Sequence, residues 1–283
     1  MINKDTLLVG SDFELPLFLR DGTPFPVTGL LGGTKRAPKP LEKLGKGFYV
    51  QEDNVNAEFN IPPAKTPKEF TGNILKVLGA LPRILPPTVT FKYAAATEYK
   101  AELLDHHQAK VFGCDPDYNA YSGEENPRPY SKNQLLRTAS GHVHVGWENP
   151  TQEERVALVK MLDVVSGVYF IGADDERRRQ LYGKAGSYRP KEYGCEYRVL
   201  GNSWLQDPSL VYGHVIQAVD LVNNGATLTR EEEQAVQEAI NTDKYTKEVE
   251  VIRKRLLTSL NKAKVKKTLV QADEEWVSYK LGA

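Results

Sequence analysis

The sequence predicts an α+β fold, and three observations predict it. Strand and loop signals fill the first 65 residues, strands and helices alternate to about residue 205, and helical signals alone run from 207 to the end. Polar pairs at i and i+2, flanked by apolar residues, recur on the strands, which places several functional groups on one sheet face. The expected organisation is one domain, with a catalytic portion over 1–205 and a helical C-terminal part over 206–283.

In chain order, LLVGSDFELPLF is apolar with acidic residues interleaved, a Gly- and Pro-rich stretch follows, and FYVQEDNVNAEFNIPP returns to strand character. Thr66-Pro67 opens a helix over 66–82, with Phe70, Ile74, Leu75, Leu78 and Leu81 at helical spacing. Residues 88–95 read as a strand and 98–110 as a helix. The polar segment 111–136, with three prolines, has the length of a functional loop. A strand over 138–147 precedes a helix over 151–170 with Val156, Leu158, Val159, Leu162, Val165 and Val168 on its apolar side. A basic loop then leads to a strand over 193–200.

Beyond 207, the segments DPSLVYGHVIQAVDLVNNG, TREEEQAVQEAINT, KEVEVIRKRLLTSLNKA and QADEEWVSYKL each read as a helix. In the second, Thr229 is the N-cap and Glu232 stands three residues on, a capping box. This tail is expected to pack against the sheet and carries no assigned chemistry.

Composition excludes several classes. Lys plus Arg equals Asp plus Glu at 37 each, so no net charge favours bulk nucleic-acid or membrane binding. No apolar run reaches the roughly 18 residues of a membrane helix, and the N-terminus lacks a basic region followed by an apolar stretch, so a cytoplasmic protein is expected. Cys114 and Cys195 lack the spacing of a zinc or redox motif and read as free thiols.

The chemistry concentrates in four pairs. Asp12 and Glu14 form D-x-E, Glu52 and Glu58 share parity on a second strand through Asn54 and Asn56, His142 and His144 form H-x-H, and Glu196 and Arg198 form E-x-R. One such pair alone is an ordinary solvated strand face. Four together crowd carboxylates whose repulsion calls for cations, and hard oxygen donors suit Mg²⁺ or Mn²⁺. The HExxH and cysteine spacings of zinc sites are absent. Carboxylate-held metal beside the basic segment ERRRQLYGKAGSYRP, which supplies Arg177, Arg178, Arg179, Lys184 and Arg189, points to a nucleotide triphosphate. GLLGGTKRAPKP lacks the spacing of a P-loop and reads as a turn near Lys35. His106 and His107 have no acidic partner pattern and read as ordinary histidines.

GSDFEL, QEDNVNAEFNIPP, GCDPD, RTASGHVHVGW and EYGCEYRVLGNSW, in this order between about residues 8 and 205, resemble the phage-type carboxylate-amine ligases, type 2, of the glutamine synthetase and glutamate-cysteine ligase superfamily. The resemblance implies a curved, mostly antiparallel sheet forming a funnel, with helices on its outer face. It further implies that ATP and divalent metal activate a carboxylate as an acyl phosphate, which an amine attacks to give an amide. Carried over by motif, Asp12, Glu14, Glu52 (or Asp53), Glu58, His142 and Glu196 would hold metal. His144 would touch phosphate, Arg198 would face phosphate or substrate carboxylate, and Arg179, Lys184 and Arg189 would neutralise the transferred phosphoryl group. The expected partners are small-molecule or peptide carboxylates and amines in the cytoplasm, of the host if the protein is phage-encoded. Asp12 stands where glutamine synthetase has Glu, and the arginine segment matches that enzyme poorly. The competing reading is a metal-dependent amide hydrolase using the same cluster without ATP.

Overall fold

The structure, a computed structural model, describes residues 1–110 and 116–261. Cys114, part of the GCDPD segment and the helix expected at QADEEWVSYKL lie outside the described residues. The strands are β1 (Leu8–Leu15), β2 (Leu17–Leu19), β3 (Pro24–Phe25), β4 (Lys39–Pro40), β5 (Tyr49–Asp53), β6 (Asn56–Asn60), β7 (Val89–Phe91), β8 (Ala96–Glu98), β9 (Tyr118–Asn119), β10 (Leu136–Thr138), β11 (Gly141–Gly146), β12 (Ser187–Lys191) and β13 (Gly194–Tyr197). The helices are α1 (Pro67–Ile84), α2 (His107–Lys110), α3 (Gln152–Leu162), α4 (Glu176–Leu181), α5 (Pro208–Asn223), α6 (Arg230–Thr242) and α7 (Lys247–Asn261).

An eight-stranded antiparallel sheet in the order β4-β5-β6-β1-β11-β13-β12-β9 organises the fold, so the α+β class expected from the sequence is the one found. Its edges are two-residue strands, a length that offers little to a foreign strand. Alternation places Val9, Phe13 and Leu15 of β1 on one face, with Phe59 of β6, Val143 and Val145 of β11 and Cys195 and Tyr197 of β13 beside them, all buried in a single core.

Helices cover that face. Phe70, Ile74, Val77 and Leu81 of α1 and Leu158, Val159 and Leu162 of α3 enter the core, and α5 packs against both helices. Trp204 closes one end: it stacks on Phe70 at 5.9 Å and donates its indole N–H to the Gly141 carbonyl at 3.0 Å. A Cβ at Gly141 would lie 2.3 Å from that indole nitrogen, so only glycine lets β11 pass. Caps end the helices as the sequence suggests, with Thr66 accepting the Glu69 N–H and the Thr229–Glu232 capping box both formed.

Four expectations need correction. Residues 98–110 are not one helix: β8 pairs with β10, and a 3₁₀ turn at 101–104 and the single turn α2 follow, because Tyr99, Leu104 and Ala109 pack with Val55 in a small cluster apart from the main core. The helix expected over 151–170 gives way at Asp163–Gly167 to a π turn around a buried carboxylate. Residues 187–191, read as basic loop, form β12. The tail helices α6 and α7 make their main contacts with each other and with the π turn, α6 also with α4 and α7 with α5, rather than with the sheet. Among the described residues no helix is long and apolar enough to cross a membrane.

Candidate functional site

The face opposite Phe13 carries the chemistry. On β1 it presents Gly10, Asp12 and Glu14, and the antiparallel register fixes what stands beside them. Asp12 pairs with His142 on β11 and with Asn60 on β6, and Glu14 pairs with Glu58 on β6. His144 pairs with Glu196 on β13, and Glu196 with Arg189 on β12. Asp12, Glu14, Glu58, His142, His144, Glu196, Arg189 and Arg198 are thereby brought together from five strands and the end of β13.

Glu52 is not among them. In the hairpin between β5 and β6, Asn54 adopts a left-handed conformation (φ 55°) and Asp53 pairs with Asn56. Gln51 therefore stands opposite Glu58, whereas Glu52 stands opposite Ala57 on the other face. Sequence parity counted straight through the turn misassigned it, and Asp53 lines the cleft in its place. The Glu52 carboxylate accepts the backbone N–H groups of Gly29 at 2.8 Å and of Leu31 and Gly32 at 2.7 Å, fixing the turn that brings Lys35 to the cleft rim.

The arginine segment also departs from expectation. Arg179 is fully buried: it donates to the carbonyls of Gly183 and Val199 and pairs with Asp174 at 3.0 Å, and it does not line the cleft. Arg178 is likewise buried, bonded to Asp174 at 2.7 Å, Leu200 O at 2.8 Å and Ser140 Oγ at 3.1 Å. Lys184 is exposed and lines a neighbouring cleft, not the one at the carboxylates. Arg189 does reach the site, with Nη1 3.0 Å from Glu196 Oε2. Lys191, missed in the sequence, stands 2.9 Å from the same oxygen; its signal was the alternation of Tyr188 and Pro190 with Arg189 and Lys191.

An open cleft lies over this face, lined among others by Asp12, Glu14, Asp53, Glu58, Arg189 and Arg198. It has two halves. On the acidic side Glu14 and Glu58 face each other, with the Ser140 N–H donating to Glu14 at 3.1 Å and the Gln51 amide to Glu58 at 2.6 Å. Burial, and then the charge of Asp53, pushes the Glu14 carboxyl up to about 8; burial and the surrounding carboxylates push Glu58 up as well. On the basic side Arg198 donates to Glu196 and lies 3.3 Å from Asp117. Although burial and Asp12 act to raise it, Glu196 is held down at about 2 by Arg198 and the two imidazoles.

Between the halves, Asp12 Oδ1 lies 3.2 Å from His142 Nδ1 and 3.0 Å from His144 Nε2. Burial would raise the Asp12 carboxyl, but the two imidazoles outweigh it and hold it well below the usual range. Burial and Arg198 lower His142, whereas for His144 the Asp12 charge outweighs burial and raises it. His144 Nδ1 meets the Tyr193 hydroxyl at 2.5 Å, and its Nε2 faces Asp12. Donor atoms of Asp12, His144 and Glu196 lie within 4.8 Å of one another, so His144 stands with the carboxylates rather than on the cleft wall. Two carboxylates and an imidazole with their donor atoms this close together fit a divalent cation.

A bifunctional glutathione synthetase from Pasteurella multocida matches 97% of this chain with a TM-score of 0.58 at 12% identity, a likeness of fold. The chain spans about half of that structure, 47%. A glutamine synthase homologue matches 95% of this chain and 71% of its own, at 12% identity and a TM-score of 0.35, too loosely to bear on the fold. No curated protein matches the chain. The sequence model of the phage phiEco32-like COOH.NH2 ligase-type 2 family matches residues 131–278, more than half of the chain, and the chain belongs to that family. The match takes in β11, β12 and β13 but not β1, so it begins well after residue 8, where the sequence resemblance was drawn to start.

Proposed function

We propose that the chain is an ATP-dependent carboxylate-amine ligase that activates its carboxylate as an acyl phosphate. The observation that carries this reading is the division of one cleft into the acidic half of Glu14, Glu58 and Asp53 and the basic half of Arg198 and Arg189, with Asp12 and His142 between them. Asp12, Glu14, Glu58, His142 and Glu196, with His144 beside them, would hold Mg²⁺ or Mn²⁺. Bound cations would supply charge neutralisation at the phosphate oxygens.

The chain's own residues supply positioning and preorganised charge. Arg198 and Arg189, fixed by Glu196, present guanidinium groups where negative charge would gather on the transferred phosphoryl group. A carboxylate oxygen of the first substrate attacks the γ-phosphorus and ADP leaves. The nitrogen of the second substrate attacks the acyl carbon, the bond to the phosphate oxygen breaks, inorganic phosphate leaves and the nitrogen gives up its proton. Small molecules or peptides carrying the carboxylate and the amine are the substrate class.

The test is nucleotide turnover by the purified chain with Mg²⁺ and ATP, with and without a pool of amino acids and short peptides, following ADP, phosphate and product mass. ADP and phosphate in equal amounts, raised by the pool, with a product lighter than its two parents by one water, is the expected result. Cleavage of amides without nucleotide would overturn the reading in favour of a metal-dependent amide hydrolase.

A further inference from the structure

A second cleft adjoins the first, and the two share the wall formed by Pro129, Leu181 and Tyr182. Asp117 lines the second cleft and is half-buried at the partition, with its Oδ2 3.3 Å from the Nε of Arg198, which lines the first. The outer rim differs in character. Arg128 and Lys184 are exposed there and form no ion pair among the described residues, nor does the exposed Glu125, which leaves the rim net positive. Tyr130, 78% exposed, adds an aromatic surface at the same rim.

The layout is an anion at the inner end, cations at the outer end and an aromatic side wall. A ligase also needs its amine to approach the acyl carbon from a side not occupied by nucleotide and cations, and the ion pair of Asp117 with Arg198 links the second cleft to the basic half of the first. We infer that the second cleft is the amine-substrate site and takes an α-amino acid or short peptide, its ammonium against Asp117 and its carboxylate held by Arg128 and Lys184. This inference rests on the ligase reading above.

The test is saturation-transfer NMR on the full chain without nucleotide. The probes are a pool of standard amino acids and alanyl dipeptides, compared with the same compounds as methyl esters. The free acids should bind to the wild-type chain, and both esterification and the Arg128→Glu/Lys184→Glu double variant should weaken binding by about tenfold or more, the equivalent of a lost charge-assisted hydrogen bond. The double variant changes exposed residues and should keep the wild-type affinity for Mg²⁺ and ATP by calorimetry. No binding from the pool, equal binding of acids and esters, or undiminished binding by the double variant would each overturn the inference. A wild-type chain that binds the pool but neither Mg²⁺ nor ATP would instead count against the ligase reading.

Discussion

Glu14 and Glu58 stand directly opposite each other across the β1–β6 register, both on the cleft face and both with raised carboxyl groups. Like charges in directly opposed positions destabilise a sheet. Burial, with the neighbouring carboxylates, therefore favours their protonated forms, a cost above the ordinary carboxylate range that a bound cation would relieve.

Glu58→Gln should therefore stabilise the metal-free protein by about 1 kcal/mol, since the Gln oxygen can still accept the Gln51 amide. Mg²⁺ should raise the melting temperature of the wild type and raise that of Glu58→Gln by less. Thermal unfolding with and without Mg²⁺ checks both. An unchanged Mg²⁺ shift in the variant would remove Glu58 from the cation site.

Arg179 and Lys184 should behave in opposite ways. Arg179→Ala leaves Asp174 short of one buried partner and should destabilise the fold by roughly 3–5 kcal/mol, whereas Lys184→Ala should unfold like the wild type. Urea titration separates them. Equal stabilities would contradict the structural role of Arg179.

Glu52 and Asp53 are neighbours with different tasks. Glu52→Ala leaves three backbone N–H groups of the 29–32 turn without their acceptor and should lower stability by roughly 1–3 kcal/mol while Mg²⁺ binding persists. Asp53→Asn should weaken Mg²⁺ binding with little change in stability. Calorimetry with Mg²⁺ beside urea unfolding of both variants decides the assignment.

Asp163 gives the fold a dependence on pH. Burial raises its carboxyl to about 7, against the Tyr197 hydroxyl donating at 2.7 Å and the Gly186 N–H at 2.6 Å. Folding thus favours the protonated form: the contribution is present in full below the unfolded carboxylate range and is lost as pH rises through about 7. This group alone should lower stability by roughly 2–3 kcal/mol between pH 5 and pH 8. In Asp163→Asn that part of the slope should vanish; a slope equal to the wild type would contradict the assignment.

The strand-borne part of the site was legible because alternation and flanking apolar residues locate a face without knowledge of the partners. Asp12-Glu14, His142-His144 and Glu196-Arg198 each needed only their own strand. Glu52 failed because parity does not carry across a turn whose Asn54 is left-handed, a property set by the pairing of β5 with β6. Arg179 and Lys184 failed for a different reason: a basic run does not reveal which side chains turn inward, and Asp174, which draws Arg178 and Arg179 under the site, gave no periodic signal. The fold class followed from the order of elements, while the π turn at Asp163 depended on contacts with Tyr197 and Gly186 that no local pattern records.

The central claim is that ATP activates a carboxylate on this face. The most direct measurement supplies the amino acid and peptide pool with its carboxyl groups labelled with heavy oxygen, together with Mg²⁺ and ATP, and determines the label in the inorganic phosphate released. Transfer of the label into phosphate, abolished in Glu14→Gln, is the predicted result. Phosphate released without label, or amide formed without ADP, would contradict the account.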